Sequence, residues 1–304
     1  MQTILGAGGV IGTELAKALV DYTDKVRLVA RNPKTVVGNE ELFPADLMDA
    51  QACSKAVEGS EVVYLTVGLN YHLPTWQKMW PQIMMNVIEA CAEHQAKLVF
   101  FDNIYAYHPE CMNNITEEAR KDPQSGKGKV RNAILQKLWK AHNEGRIIAT
   151  VARAADFYGP NAGAVSVINE GVLKPLKAGK AANWFGSTNF KHSFTYTADA
   201  GKATAILGNS DKSWGEEWHL PTAKNPLTGK EYIEQLAALT GTKPKTMVAG
   251  KTIMSIMGLF MPIMKEFKEM LYQYDRDYIF NSDKFEATFD FQVTPYSEGL
   301  KSIV

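Results

Sequence analysis

Seven residues near the start of this 304-residue chain, Gly6-Ala-Gly8-Gly9-Val10-Ile11-Gly12, restrict its fold more than any other stretch. They follow the apolar run Met1-Gln-Thr-Ile-Leu5 and lead into the helix-like Thr13-Glu-Leu-Ala-Lys-Ala-Leu-Val20. A buried strand, a tight turn and a helix N-terminus are therefore expected in immediate succession. Glycines in such a turn permit backbone angles and close approaches that a Cβ would block. The unpaired N–H groups and the dipole of the helix end favour an anion in front of them. The arrangement implies a cradle for the pyrophosphate of a dinucleotide, with a purely structural turn as the alternative. Two parsings are open, Gly6-x-Gly8-x-x-x-Gly12 and Gly6-x-x-Gly9-x-x-Gly12.

The pattern that follows agrees with such a start. Short β-branched or apolar runs occur at Lys25–Ala30, Glu61–Val67, Lys97–Phe101 and Ile147–Ala152, separated by helical patterns over Asp49–Glu58, Pro81–His94 and Val130–Asn143. Strands alternating with helices predict βαβ units and an α/β fold with a doubly wound parallel sheet over residues 1–155. Beyond it, Pro and Gly punctuation at Gly159-Pro160, Pro175, Gly179, Pro221, Pro226 and Pro244 breaks the rhythm. Residues 156–304 are assigned mainly to a smaller substrate lobe, with some segments returning to the first domain.

Lys plus Arg equals Asp plus Glu at 33 each, so no net field draws the chain to nucleic acid or to a membrane. A small-molecule partner is expected. Cys53, Cys91 and Cys111 lack metal-ligand or CxxC spacing, so no metal is expected and the thiols read as reduced, in a cytoplasmic protein. No charged stretch precedes an apolar one at the N-terminus, because the first strand begins there. The uncharged run Thr252–Met264 is too short to span a bilayer. It reads as a buried or pocket-lining helix, an exposed lipophilic surface being the alternative.

The spacing Gly6-x-x-Gly9-x-x-Gly12 resembles the short-chain dehydrogenase/reductase superfamily in its extended or atypical branches, and later landmarks extend the likeness over nearly the whole chain. Arg153-Ala-Ala-Asp156-Phe-Tyr158-Gly159-Pro160 resembles the extended branch's Arg-Pro-x-Asn-Val-Tyr-Gly-Pro. His192-Ser-Phe-Thr-Tyr196-Thr-Ala-Asp199 resembles its Arg-Asp-Phe-x-Tyr-Val-x-Asp, and Trp218-His-Leu-Pro221 and Ser282-Asp-Lys-Phe285 its later landmarks. The resemblance implies a Rossmann-type fold and a nicotinamide dinucleotide held by Gly6, Gly9, Val10, Ile11 and Gly12. Asp46-Leu47 takes the place of an adenine-edge contact, its alternative being a helix cap. Val67 and Gly68 bring backbone to the ribose, and Asn86 matches a helix asparagine that braces the sheet. Arg31, ending the second strand where an NAD site usually offers an acid, is suited to a 2′-phosphate. NADP is therefore expected as cofactor, NAD being the other option.

The catalytic positions depart from the family. Where the extended branch reads Ser-Ser-x-x-Val-Tyr-Gly, this chain has Asp102-Asn103-Ile-Tyr105-Ala-Tyr107. Asn103 falls at the serine that polarises a substrate carbonyl, and its amide can still donate a hydrogen bond. Tyr105 and Tyr107 add hydroxyls, with packing as their alternative role. The Tyr-x-x-x-Lys pair becomes Lys127-Gly-Lys-Val-Arg131, keeping the i,i+4 spacing that puts both on one helix face. Arg131 can bond the nicotinamide ribose but cannot give up a proton near neutrality. Lys127, desolvated beside a second cation, is a candidate general acid with Tyr105 its rival, and a solvated basic helix start is the bland reading. Tyr107, Tyr158 and His192 are the substrate-side candidates. His192 replaces an arginine that binds diphosphate in nucleotide-sugar enzymes, which disfavours such substrates.

The leading expectation is an NADP-linked oxidoreductase reducing a carbonyl or activated double bond of a small apolar molecule, its pocket walls drawn from Met254–Met264 and Trp184-Phe185. The alternatives are an epimerase- or dehydratase-like enzyme and a non-catalytic NADP-binding sensor or scaffold. A homodimer through two long helices is the assembly the resemblance offers.

Overall fold

A computed structural model describes residues 1–304, the side chains of Ala164 and Pro262 excepted. The chain divides into two compact units: residues 1–106, 127–154 and 200–220 form the first, and 107–126, 155–199 and 221–304 the second. In chain order the strands are β1 (Gln2–Leu5), β2 (Val26–Ala30), β3 (Glu41–Pro44), β4 (Val62–Leu65), β5 (Lys97–Asp102), β6 (Ala149–Arg153), β7 (Asp156–Tyr158), β8 (Ala182–Phe185), β9 (Phe194–Tyr196), β10 (Glu217–His219) and β11 (Thr246–Ala249).

The first unit is a Rossmann-type α/β fold built on a seven-stranded sheet in the order β10-β6-β5-β4-β1-β2-β3, with every pairing parallel. Its strands β1, β4 and β6 are buried at every position, which is why they read as continuous apolar runs rather than alternating ones. The chain proceeds from β1 outward to β3, then crosses back to β4 on the other side of β1. That reversal opens a crevice at the carboxyl ends of β1 and β4, where such sheets bind ligands.

Helices α1 (Val10–Leu19), α2 (Ala50–Val57), α3 (Leu73–His94) and α4 (Gly126–Asn143) carry the crossovers. Asp49, rather than Asp46, caps α2, accepting from the N–H groups of Gln51 and Ala52. Helix α3 begins eight residues before Pro81, where the sequence pattern starts it, and runs through that proline. A proline costs a helix one backbone bond and a steric clash, here offset by packing of Trp76, Trp80, Ile83, Met84 and Val87 into the sheet's core.

The second unit pairs β7 with β9 and β8 with β11. Between them run a wide helical turn over Val167–Leu173 and the short α5 (Lys174–Lys177). Its core gathers Tyr158, Trp184, Phe194, Tyr232 and Tyr296 with Ile168, Val172 and Leu236. Helix α6 (Thr197–Gly208) leads back to the first unit, where Gly201 lies so close to Glu14 of α1 that a Cβ would come within 2.6 Å of its backbone. Helix α7 (Gly229–Thr240) starts with a capping box between Thr228 and Glu231. It is followed by α8 (Lys251–Met257) and α9 (Pro262–Glu269). The run Thr252–Met264 is thus broken into two helices with an exposed turn, and of its described side chains only Met254 is buried, beside Gly258. Among the described residues no helix is long and apolar enough to cross a membrane.

Candidate functional site

The glycine turn leaves β1 at the crevice. Gly6 adopts φ +102°, and a Cβ there would meet the Val67 nitrogen at 2.7 Å. A Cβ on Gly12 would lie 2.8 Å from the Gly6 carbonyl oxygen and 2.9 Å from the Ala7 Cα. These contacts are backbone to backbone, so neither position tolerates a side chain without moving β4 or α1. Gly8 and Gly9 differ: both are exposed, Gly8 has open space around it, and Gly9 stands at the N-cap of α1. Fold geometry does not require glycine at either. The clearance they leave, ahead of a helix end with no acidic residue in its first turn, suits close approach of a pyrophosphate. Val10 is half-buried and Ile11 buried behind the turn.

The other cofactor candidates ring the same strand edge. Arg31 is exposed immediately after β2, and the carbonyl of Val29, two residues before it, accepts from both Gly6 and Ala7. Asp46 is exposed and receives the Met48 N–H at 3.0 Å, a local turn rather than a helix cap. Leu47 is buried, and its carbonyl accepts from the Asn86 side chain at 2.8 Å. Asn86 therefore braces this loop, itself held by Gln82 one helical turn earlier. Val67 is half-buried and Gly68 exposed beyond β4.

At the end of β5, the Asn103 side-chain oxygen accepts the Tyr105 N–H at 3.0 Å, which leaves the amide NH2 as the group able to meet a carbonyl oxygen. The Tyr105 ring stacks on Trp76, with centroids 6.1 Å apart, and its hydroxyl lies 3.2 Å from the hydroxyl of Tyr71. Lys127, fully buried in the first turn of α4, holds its ammonium 4.5 Å from the Tyr71 ring centroid, within cation–π range. Trp76, whose indole N–H donates to the Asn70 carbonyl at 3.0 Å, packs edge-on against Tyr71 and fixes the loop that carries it. Lys127, Tyr71 and Tyr105 thus form one connected group. Tyr71 escaped sequence reasoning; its one signal is a hydroxylated aromatic just beyond Gly68.

Arg131, one turn along α4, points elsewhere. Its Nε donates to Asp102 at 2.7 Å and its Nη2 to the Phe101 carbonyl at 3.2 Å, while the guanidinium lies over Trp80 and Phe100. Arg153 reaches the other oxygen of Asp102 at 3.0 Å and Glu217 at 2.7 Å, and Trp139 donates to Glu217 at 2.9 Å. Two carboxylates and two guanidiniums therefore balance in a buried cluster across β5, β6 and β10. Burial alone would raise the Asp102 carboxyl, but Arg131 and Arg153 outweigh it and hold it below its ordinary value. The cluster joins residues far apart in the chain, and no sequence motif announced it.

Residues 3–218 match the sequence model of the NAD dependent epimerase/dehydratase family. The chain belongs to that family. Solved structures agree on the fold. A UDP-glucose 4-epimerase from Thermus thermophilus, in complex with NAD, superposes with a TM-score of 0.79 at 16% identity, covering 100% of this chain and 97% of the other. A UDP-glucuronic acid 4-epimerase from Bacillus cereus, also with NAD, gives 0.80 at 17% identity, covering 99% and 97%. A dTDP-glucose 4,6-dehydratase, the DesIV double mutant from Streptomyces venezuelae, gives 0.77 at 14% identity, covering 100% and 95%. No curated protein sequence matches the chain.

In this member of the epimerase/dehydratase family, the three substrate-side candidates are buried in the second unit. The Tyr107 ring faces the Lys121 ammonium at 5.4 Å. Tyr158 packs against Tyr196 and Tyr296, and burial pushes its phenol well above the ordinary value, so it stays neutral. His192 lies 2.9 Å from the Asp156 carboxylate, between the rings of Tyr274 and Phe194. Trp184 is likewise core. Among the described residues no group of three metal-ligating side chains converges.

Proposed function

We propose that the chain is an enzyme of the epimerase or dehydratase type that binds NADP and acts on a small molecule through transient oxidation of a carbinol carbon. The observation that carries this reading is the connected Lys127–Tyr71–Tyr105 group, whose Lys127 takes the sequence position of the tyrosine in the wider superfamily's Tyr-x-x-x-Lys pair. A dinucleotide held at Gly6, Gly9 and Gly12 would supply a reversible hydride acceptor for the carbinol carbon. The chain's residues handle the proton and the oxygen. As the C–H and O–H bonds break, Tyr105, as its phenolate, takes the hydroxyl proton and becomes neutral; until then the Tyr71 hydroxyl hydrogen-bonded to it and the buried Lys127 ammonium stabilise its negative charge. The Asn103 amide donates to the new carbonyl oxygen. Arg131, held on Asp102, positions α4 and through it Lys127. Arg31 is the side chain suited to the 2′-phosphate.

A second reading is net reduction of a carbonyl or activated double bond of a small apolar substrate by the same groups. It is favoured by His192, whose imidazole is occupied by Asp156 and offers no exposed cation to a diphosphate. An NADPH-consumption screen against aldehydes, quinones and enones, run beside a search for redox-neutral epimerisation or water loss in candidate alcohols with no net change in cofactor, separates the two. Tyr105→Phe and Lys127→Met should each lower turnover about 100-fold with dinucleotide affinity little changed. Unchanged turnover in both variants would remove the proposed group from catalysis. Tight NADPH binding with no turnover of any acceptor would point to a sensor.

A further inference from the structure

The α8–α9 hairpin of the second unit is anchored at its base and bare at its tip. Met254 is fully buried in the unit's core, and Phe267 stacks on Phe185 with centroids 5.2 Å apart. Between these anchors, Leu259 is 74% exposed and Phe260 82%, flanked by the exposed Ile253, Ile256 and Met261. Scattered exposed apolar residues need no explanation, but a contiguous apolar knob marks an interaction site. Its exposed charges are all positive, with a net charge of +1 over residues 251–269. Lys251, Lys265 and Lys268 are exposed, whereas Glu266 and Glu269 are half-buried and engaged with neighbours. Lys265 stands at the tip itself, its stem 3.0 Å from where a Gly258 Cβ would be.

We infer that this tip is a docking surface for an anionic lipid bilayer. Helices of seven and eight residues extend only about 12 Å at 1.5 Å per residue, far short of a bilayer core, so the hairpin dips into the headgroup boundary without spanning. Leu259 and Phe260 enter the acyl boundary while the lysines meet lipid phosphates. A second copy of the chain is the poorer occupant, because a two-fold contact through the same patch would set Lys251 and Lys265 of one copy against those of the other. The zero net charge of the whole chain hides this local excess.

Flotation with phosphatidylcholine vesicles, with and without phosphatidylglycerol, tests the inference. The 304-residue chain should float with the anionic vesicles only, and raised salt should release it. Leu259→Ser with Phe260→Ser should weaken partitioning at least about tenfold, and Lys251→Glu with Lys265→Glu should abolish the preference for phosphatidylglycerol. These side chains are exposed, so thermal midpoints should hold. No flotation of the wild type, or equal flotation of the apolar variant, overturns the inference. So does light scattering, without vesicles, that shows a dimer in the wild type and a monomer in the apolar variant, which would make the tip a self-association surface.

Discussion

Replacing Asp102 by Asn removes one charge and almost no volume from the centre of the buried cluster. The Asp102 side chain is fully buried and serves Arg131 through one oxygen and Arg153 through the other. At an effective dielectric of about 20, a charged contact at the 3.0 Å of the Arg153 pair is worth about 5 kcal/mol of gross Coulomb energy. Desolvation of the ions takes back much of that. Leaving a buried guanidinium uncompensated nonetheless costs about 3–5 kcal/mol. In Asp102→Asn, Glu217 still pairs with Arg153 while Arg131 loses its carboxylate, so the midpoint measured by calorimetry should fall by roughly 6–10 °C, at about 2 °C per kcal/mol for a chain of this size. Adding Arg131→Met restores local neutrality and should recover at least half of the loss. The pH dependence has a definite sign. Because the folded carboxyl sits below its ordinary value of 3.8, its stabilising contribution is present above that pH and is lost as pH falls through the lower folded value. Wild type and Asp102→Asn should therefore differ most near neutrality and converge at strongly acid pH. An Asp102→Asn midpoint within about 2 °C of wild type at pH 7 would refute the argument, as would a double variant no more stable than the single.

Two further outcomes follow from the cofactor turn. Arg31→Ala should reduce the NADPH-to-NADH affinity ratio about tenfold in fluorescence titrations, and an unchanged ratio would show that Arg31 does not meet a 2′-phosphate. Gly12→Ala places a Cβ against the Gly6 and Ala7 backbone and should cost about 1–3 kcal/mol of stability together with dinucleotide binding. Gly8→Ala, surrounded by open space, should leave the thermal midpoint within about 1 °C; equal losses in both variants would mean that the packing account of the turn is wrong.

Local rules carried most of the first unit. Strands β1, β2, β4, β5 and β6 fall within two residues of their apolar runs, because a strand buried on both faces writes its burial directly into composition. Strand β3 was harder to see: Glu41–Pro44 is an exposed edge strand, so little apolar patterning is demanded of it. Pro81 misled in the opposite sense. Proline is favoured in a helix's first turn, yet tertiary packing carries α3 straight through it. The glycine turn was legible because strand, turn and helix start are contiguous in sequence and Gly12 packs on Gly6 and Ala7, although the contact that forbids a side chain on Gly6 comes from Val67 beyond β4. The Asp102–Arg131–Arg153–Glu217 cluster was not, since it depends on strands β5, β6 and β10 lying side by side. Lys127 and Arg131 share a helix face, as their spacing predicts, but spacing alone cannot say that one meets an aromatic ring and the other a carboxylate. The apolar run Thr252–Met264 was ambiguous for a similar reason: composition does not distinguish a core helix from a hairpin with a bare tip.

The position of β10 in the chain has a consequence for synthesis. Glu217 comes 64 residues after Arg153, beyond a long segment of the second unit. As the polypeptide emerges from a ribosome, β6 is an open sheet edge and the ion cluster carries a surplus positive charge until β10 arrives to cover both. The first unit is therefore finished late, by a strand from outside the contiguous βαβ series. A nascent chain halted near residue 155 would hold every glycine of the cofactor turn and still lack the strand that closes its sheet.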